Sequence, residues 1–143
     1  MKGLYLEDLS VGQTAEMTHT VTDADIREFA AVSGDNNPMH LDDTYAASTP
    51  FKSRIAHGML SGSYISAVLG TRLPGPGAIY LSQSMRFRRP VRIGDEVLCR
   101  ATVTAIDPEK AQVTLATVCE VGGKAVVDGE AVVLAPRRHG AGA

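Results

Sequence analysis

At 143 residues with 44% hydrophobic content, the chain has the size and composition of one domain with a core of its own. A formal net charge of -2 gives no basic footprint for nucleic acid, no run of about 18 or more apolar residues offers a membrane span, and Met1 to Tyr5 lacks the apolar core of a signal peptide. A cytoplasmic protein with neither a nucleic-acid nor a membrane partner is expected.

Val11-Gly12-Gln13 reads as a turn, and the β-branched stretch Thr14 to Val21 as a strand with His19 on its polar side. Thr22 then caps a helix whose first turn carries Asp23 and Asp25, where the helix dipole favours negative charge. Ile26, Phe29, Ala30 and Ser33 recur at helical spacing and Gly34 terminates the run, so the helix spans Asp23 to Ser33. Pro38 forbids simple continuation and pushes Asn37 toward extended backbone, so Asp35 and His40 flank a tight irregular connection. Asp42 caps a second short helix through Ala47, and Ser48 to Arg54 is a loop.

Gly58 to Leu69 has apolar residues all round, among them Met59, Leu60, Tyr64, Ile65 and Val68, which predicts a buried helix. Leu73-Pro74-Gly75-Pro76-Gly77 ends it. Strands are predicted over Ala78 to Phe87, Glu96 to Ile106, Ala111 to Val121 and Ala125 to Ala135, with turns at 91–95, 107–110 and 122–123. One strand, helices, then consecutive antiparallel strands make an α+β chain with one sheet on one dominant helix. The whole chain reads as one domain, with its core over about 11–136 and a loose tail over 137–143.

Chemistry concentrates between Ser33 and Leu69. An imidazole such as that of His40 titrates near neutrality, and a carboxylate such as that of Asp35 can orient it or share a water with it; a turn aspartate and a histidine bonded to nearby backbone fit the same residues. A free N–H at Gly58, at the start of a buried helix, would polarise a carbonyl or stabilise an enolate, although a glycine before a helix also needs no function. No Gly-x-Ser-x-Gly elbow, Walker loop or dinucleotide motif is present. His40, Asp42, Asp43 and His57 match no metal template, and Cys99 and Cys119 have no Cys-x-x-Cys spacing, so no metal is expected and both cysteines read as reduced strand residues.

Phe29-Ala30 leading to Ser33-Gly34-Asp35, then Asn37-Pro38-Met39-His40, Tyr45-Ala46 and Ile55-Ala56-His57-Gly58-Met59-Leu60, form a specific series. Leu73-Pro74-Gly75, Ile79-Tyr80-Leu81, Phe87, Pro90-Val91 and Gly94-Asp95-Glu96-Val97 continue it. In these residues the sequence resembles the MaoC-like hydratases of the hotdog fold, above all the small (R)-specific enoyl-CoA hydratases that feed polyhydroxyalkanoate synthesis. The resemblance implies a sheet wrapped around the long helix, a homodimer, and hydration of trans-2-enoyl-CoA to (R)-3-hydroxyacyl-CoA without a cofactor, coenzyme A being part of the substrate. It implies that Asp35 and His40 are the catalytic pair, that Gly58 binds the thioester carbonyl, and that Asn37, Ser66 and His57 lie near the site, His57 as a structural hydrogen-bonding residue. Arg86, Arg88, Arg89 and Arg92 form a cationic cluster that suits coenzyme A phosphates or a solvated strand face. Leu60, Tyr64, Ile65 and Leu81 are candidates both for the acyl tunnel and for the core. A hotdog thioesterase and a non-catalytic acyl-CoA-binding subunit are the competing functions; a pure binder needs neither Asp35 nor His40.

Overall fold

The structure is a computed structural model that describes residues 1–139. Five strands, β1 (Thr14–Thr20), β2 (Ile79–Phe87), β3 (Glu96–Asp107), β4 (Gln112–Val121) and β5 (Lys124–Leu134), form one antiparallel sheet in the order β1-β3-β4-β5-β2. In β3 the alternate residues Val97, Cys99, Ala101 and Val103 are buried, and Val113, Leu115, Thr117 and Cys119 repeat this in β4. The period of two places them on one face. That face receives the long helix α4 (Gly58–Thr71) through Leu60, Ser61, Ile65, Val68 and Leu69. This is the hotdog arrangement, a curved sheet around one buried helix.

The helix α1 (Asp23–Ser33) keeps its predicted bounds because both ends are specified locally. Thr22 and Asp25 exchange side-chain-to-backbone bonds of 2.9 and 3.1 Å, and Gly34 closes the helix at φ 80°, a left-handed conformation that glycine adopts without strain. Two short helices follow, α2 (Pro38–Leu41) and α3 (Asp43–Ala47). Asp42 caps α3 as expected, its carboxylate accepting from Tyr45 N–H at 3.0 Å.

Four expectations change. The connection around Pro38 is not wholly irregular: Pro38 starts α2, where a missing N–H costs nothing, and Asn37 caps it by accepting from Met39 N–H at 3.2 Å. The strand after α4 does not join its successor in sequence; β2 pairs with β5 at the far edge, and residues 88–95 cross back with Val91 in the core. His19 shares the face of Ala15 and Met17 instead of the threonine face, stacked 4.4 Å from the Tyr64 ring and bonded to Asp25 at 3.1 Å, but its side chain stays 47% exposed, a solvated strand histidine. Finally, the packed unit exceeds 11–136. Leu6 and Leu9 are buried, Arg137 donates to Glu109 O, and Arg138 pairs with Asp8 and covers the Tyr5 ring, so the expected tail begins with two anchored arginines. The last part of that tail, 140–143, lies outside the described residues.

No helix among the described residues is long and apolar enough to cross a membrane. Cys99 and Cys119 are buried directly opposite one another on β3 and β4, both as free thiols. The neighbouring Cys99 sulfur, and then burial, push the Cys119 thiol pKa far up, as suits a small apolar core residue.

Candidate active site

The bend between α1 and α2 is tied by its own side chains. Ser33 Oγ donates to Phe29 O at 2.6 Å and accepts from Asp35 N–H at 3.1 Å; Asp35 Oδ1 in turn accepts from Asn37 N–H at 3.2 Å. These local bonds replace a regular ladder and leave the Asp35 carboxylate exposed. Asn37 therefore acts on the site through the backbone, as the cap that sets α2.

One turn later, His40 is 6% exposed. Its Nδ1 lies 2.7 Å from Ile55 O; a carbonyl only accepts, so Nδ1 carries the proton and Nε2 keeps its lone pair. Burial depresses the His40 pKa, the bond to Ile55 O and the Asp35 carboxylate raise it, and His57 depresses it, with a net downward shift. His40 is thus held as a neutral imidazole with a free basic nitrogen.

His57 stacks on His40 with ring centroids 3.9 Å apart, and its Nε2–H donates to Asp35 O at 3.0 Å. Donor atoms of Asp35, His40 and His57 all lie within 4.8 Å of one another. Here His40 Nδ1 and His57 Nε2 are each engaged with a backbone carbonyl. Of the residues weighed as ligands from the sequence, Asp42 spends its carboxylate on the α3 cap.

Gly58 opens α4, and among the described residues its N–H has no hydrogen-bond partner. A Cβ built on Gly58 would lie 2.5 Å from the Phe87 ring, so glycine here answers a close approach from the end of β2 as well as access for a ligand. Asp35, His40, His57 and Gly58 line one cavity of about 440 Å³, whose apolar wall includes Met39, Phe51, Met59, Phe87 and Val127.

Several expected site residues lie elsewhere. Ser66 is exposed and does not line this cavity, whereas the buried Ser61 does. Leu60 and Ile65 belong to the core, Tyr64 is half-buried and Leu81 is exposed on β2, so none of the four forms the wall. Arg88 and Arg89 stand at the cavity; Arg88 pairs with Asp128 at 3.0 Å and Arg89 donates to Ala125 O at 2.8 Å. Arg86 is exposed beyond the lining, and Arg92 turns away to donate to Phe51 O at 2.9 Å. Arg54 had no signal in the sequence beyond its place in a loop. It is 7% exposed, donates to His40 O at 2.7 Å and pairs with Asp23 at 2.6 Å.

The MaoC-like domain family profile matches residues 9–129. The chain is 56% identical over 134 residues to an (R)-specific enoyl-CoA hydratase of Rhodospirillum rubrum, covering 94% of this chain and 93% of the relative. Among solved structures it is similar to the R-hydratase PhaJ1 of Pseudomonas aeruginosa in its unliganded form, with a TM-score of 0.91 and 52% identity over 95% of this chain and 88% of that one. It is also similar to the (R)-hydratase of A. caviae involved in PHA biosynthesis, with a TM-score of 0.89 and 46% identity over 91% and 99% of the two chains.

Proposed function

The chain belongs to the MaoC-like domain family, and from that premise we propose that it is an (R)-specific enoyl-CoA hydratase, adding water across trans-2-enoyl-CoA to give (R)-3-hydroxyacyl-CoA. The observation that carries this is the convergence on one cavity of a carboxylate, an imidazole with a free Nε2, and the open N-terminus of a buried helix. The thioester carbonyl accepts from Gly58 N–H, which draws electron density from C3. A water donating to Asp35 and to His40 Nε2 presents its oxygen to C3. As the C3–O bond forms, the alkene electrons move onto the thioester oxygen; the acid–base pair takes one proton from the water and returns one to C2. Both additions occur on the face that the pair occupies. Addition of water is redox-neutral, so the step needs no cofactor, and coenzyme A enters only as part of the substrate.

Arg88 and Arg89 at the cavity are the side chains we assign to the coenzyme A phosphates, with Arg86 adding to the local positive field. A homodimer belongs to the same reading. The edge strand β2 exposes Ile79, Leu81 and Phe87, with Met59 of α4 also exposed, an apolar strip on an unpaired edge that pairing with a second copy would cover. Leu81→Asp should shift the sedimenting species toward monomer; an unchanged sedimentation coefficient would remove β2 from the interface. A cytoplasmic setting is supported by two free thiols lying opposite each other.

The deciding assay follows loss of the conjugated thioester absorbance with crotonyl-CoA beside a thiol assay. Hydration predicts absorbance loss without free thiol. Thiol release at the same rate would make the protein a thioesterase, and neither signal would leave it a binding subunit.

A further inference from the structure

Between the catalytic bend and α4 runs the segment 54–57. One side of it is fixed to the β2–β3 connection: Ile55 pairs with Arg92 as an isolated antiparallel bridge, and Ala56 N–H donates to Val91 O at 2.7 Å. The other side grips the bend at four points, the first being Ile55 N–H, which donates to Met39 O at 3.4 Å. Arg54 Nε–H donates to His40 O at 2.7 Å, Ile55 O accepts from His40 Nδ1–H at 2.7 Å, and His57 Nε2–H donates to Asp35 O at 3.0 Å. The next residue is Gly58.

Within this clasp His57 is the one side chain that touches both acid–base residues. It is 2% exposed, its ring stacks on His40 and lies 4.8 Å, centroid to centroid, from the tilted Phe29 ring, yet its Nδ1 is buried with no hydrogen-bond partner among the described residues. An unpaired buried nitrogen lowers stability, so packing alone would be served better by an apolar ring. What imidazole adds is a donor for Asp35 on its edge and a flat face for His40. A single bond through Nδ1 directs the His40 ring but leaves it free to tilt about that bond; face contact removes the tilt.

We propose that His57 is a positioning residue for the hydration, holding the Asp35 backbone and the plane of the His40 ring in register with the Gly58 N–H. The proposal rests on the hydratase reading above. Misplacement of reacting groups by about 1 Å costs on the order of 100-fold in rate, and the exposed bend has little apolar packing with which to resist it.

Two variants separate the contributions. His57→Phe keeps the face and loses the donor; His57→Gln keeps a donor able to reach Asp35 O and loses the face. With crotonyl-CoA, His57→Phe should lower kcat by roughly 10- to 100-fold with KM little changed, because the carbonyl and acyl contacts remain. His57→Gln should recover part of that loss and move the acid limb of the kcat/KM profile to higher pH, since the limb reports His40 among Asp35, His57 and the Ile55 carbonyl. Parent-like kcat and pH profiles in both variants would overturn the proposal, as would a loss that only tracks the folded fraction measured by circular dichroism. A wild-type protein inactive toward enoyl-CoA would instead sink the hydratase reading, and this inference with it.

Discussion

The bend from Ser33 to Leu41 and the β3–β4–β5 meander are built on opposite principles. In the meander, alternate side chains such as Val97, Val103, Val113, Leu115 and Val133 are almost fully buried, and the backbone is satisfied by regular ladders. In the bend, residues 33–38 are exposed and the chain is held by Ser33, Asp35 and Asn37 acting on neighbouring amides, and by Arg54 and His57 from outside. Burial stabilises without specifying where a proton acceptor points; directional bonds specify it while adding little stability. The molecule therefore separates the packed core that stabilises it from the bend that carries the proposed site.

That separation can be broken most sharply at the acid–base pair. Asp35→Asn or His40→Gln should each reduce hydration of crotonyl-CoA by about 100- to 10,000-fold, with thermal unfolding close to that of the parent; near-normal turnover by both would remove the assigned site. The reverse experiment belongs in the sheet. Leu115→Ala opens a cavity in the fully buried core and should cost about 2–5 kcal/mol in denaturant unfolding, while kcat per folded molecule stays at the parent value.

Gly58 lies where the two regions meet. A methyl group there collides with the Phe87 ring, and Gly58→Ala should lower kcat/KM by about tenfold or more through displacement of the turn we propose to bind the carbonyl. Coupling it with Phe87→Leu should restore part of the loss; no recovery would place the defect in the N–H itself.

The smallest effect is in pH. Burial holds the His40 pKa below its unfolded value, so the folded state favours the neutral ring. Its stabilising contribution is full above the unfolded histidine pKa of about 6.5 and is lost as pH falls from there toward the lower folded value. Denaturation curves of His40→Gln should fall less steeply with acid over that window than those of the parent, and the acid limb of parent activity should lie below the ordinary histidine range.

Local rules made much of this legible. The α1 caps, the Asp42 cap and the alternation of β3 and β4 depend on neighbours within a few residues, so they could be read directly. Asn37-Pro38 carried a helix-start signal that the rule against proline inside helices obscured. His19 is solvated as its polar context suggests, yet it stands on the Met17 face, because partial alternation in an edge strand is a weak signal when one face lacks full cover.

By its own order the sequence determined the α+β class and the buried helix, and its resemblance to the MaoC-like family singled out Asp35, His40 and Gly58, because side-chain period, capping chemistry and motif spacing are properties of a linear string. Only the tertiary structure decided that β2 crosses to β5, that Arg54 and His57 grip the bend, and that Phe51, Phe87 and Val127 rather than Leu60, Tyr64 and Ile65 wall the cavity. Those facts depend on which distant surfaces meet, and that is settled by competition for one shared core.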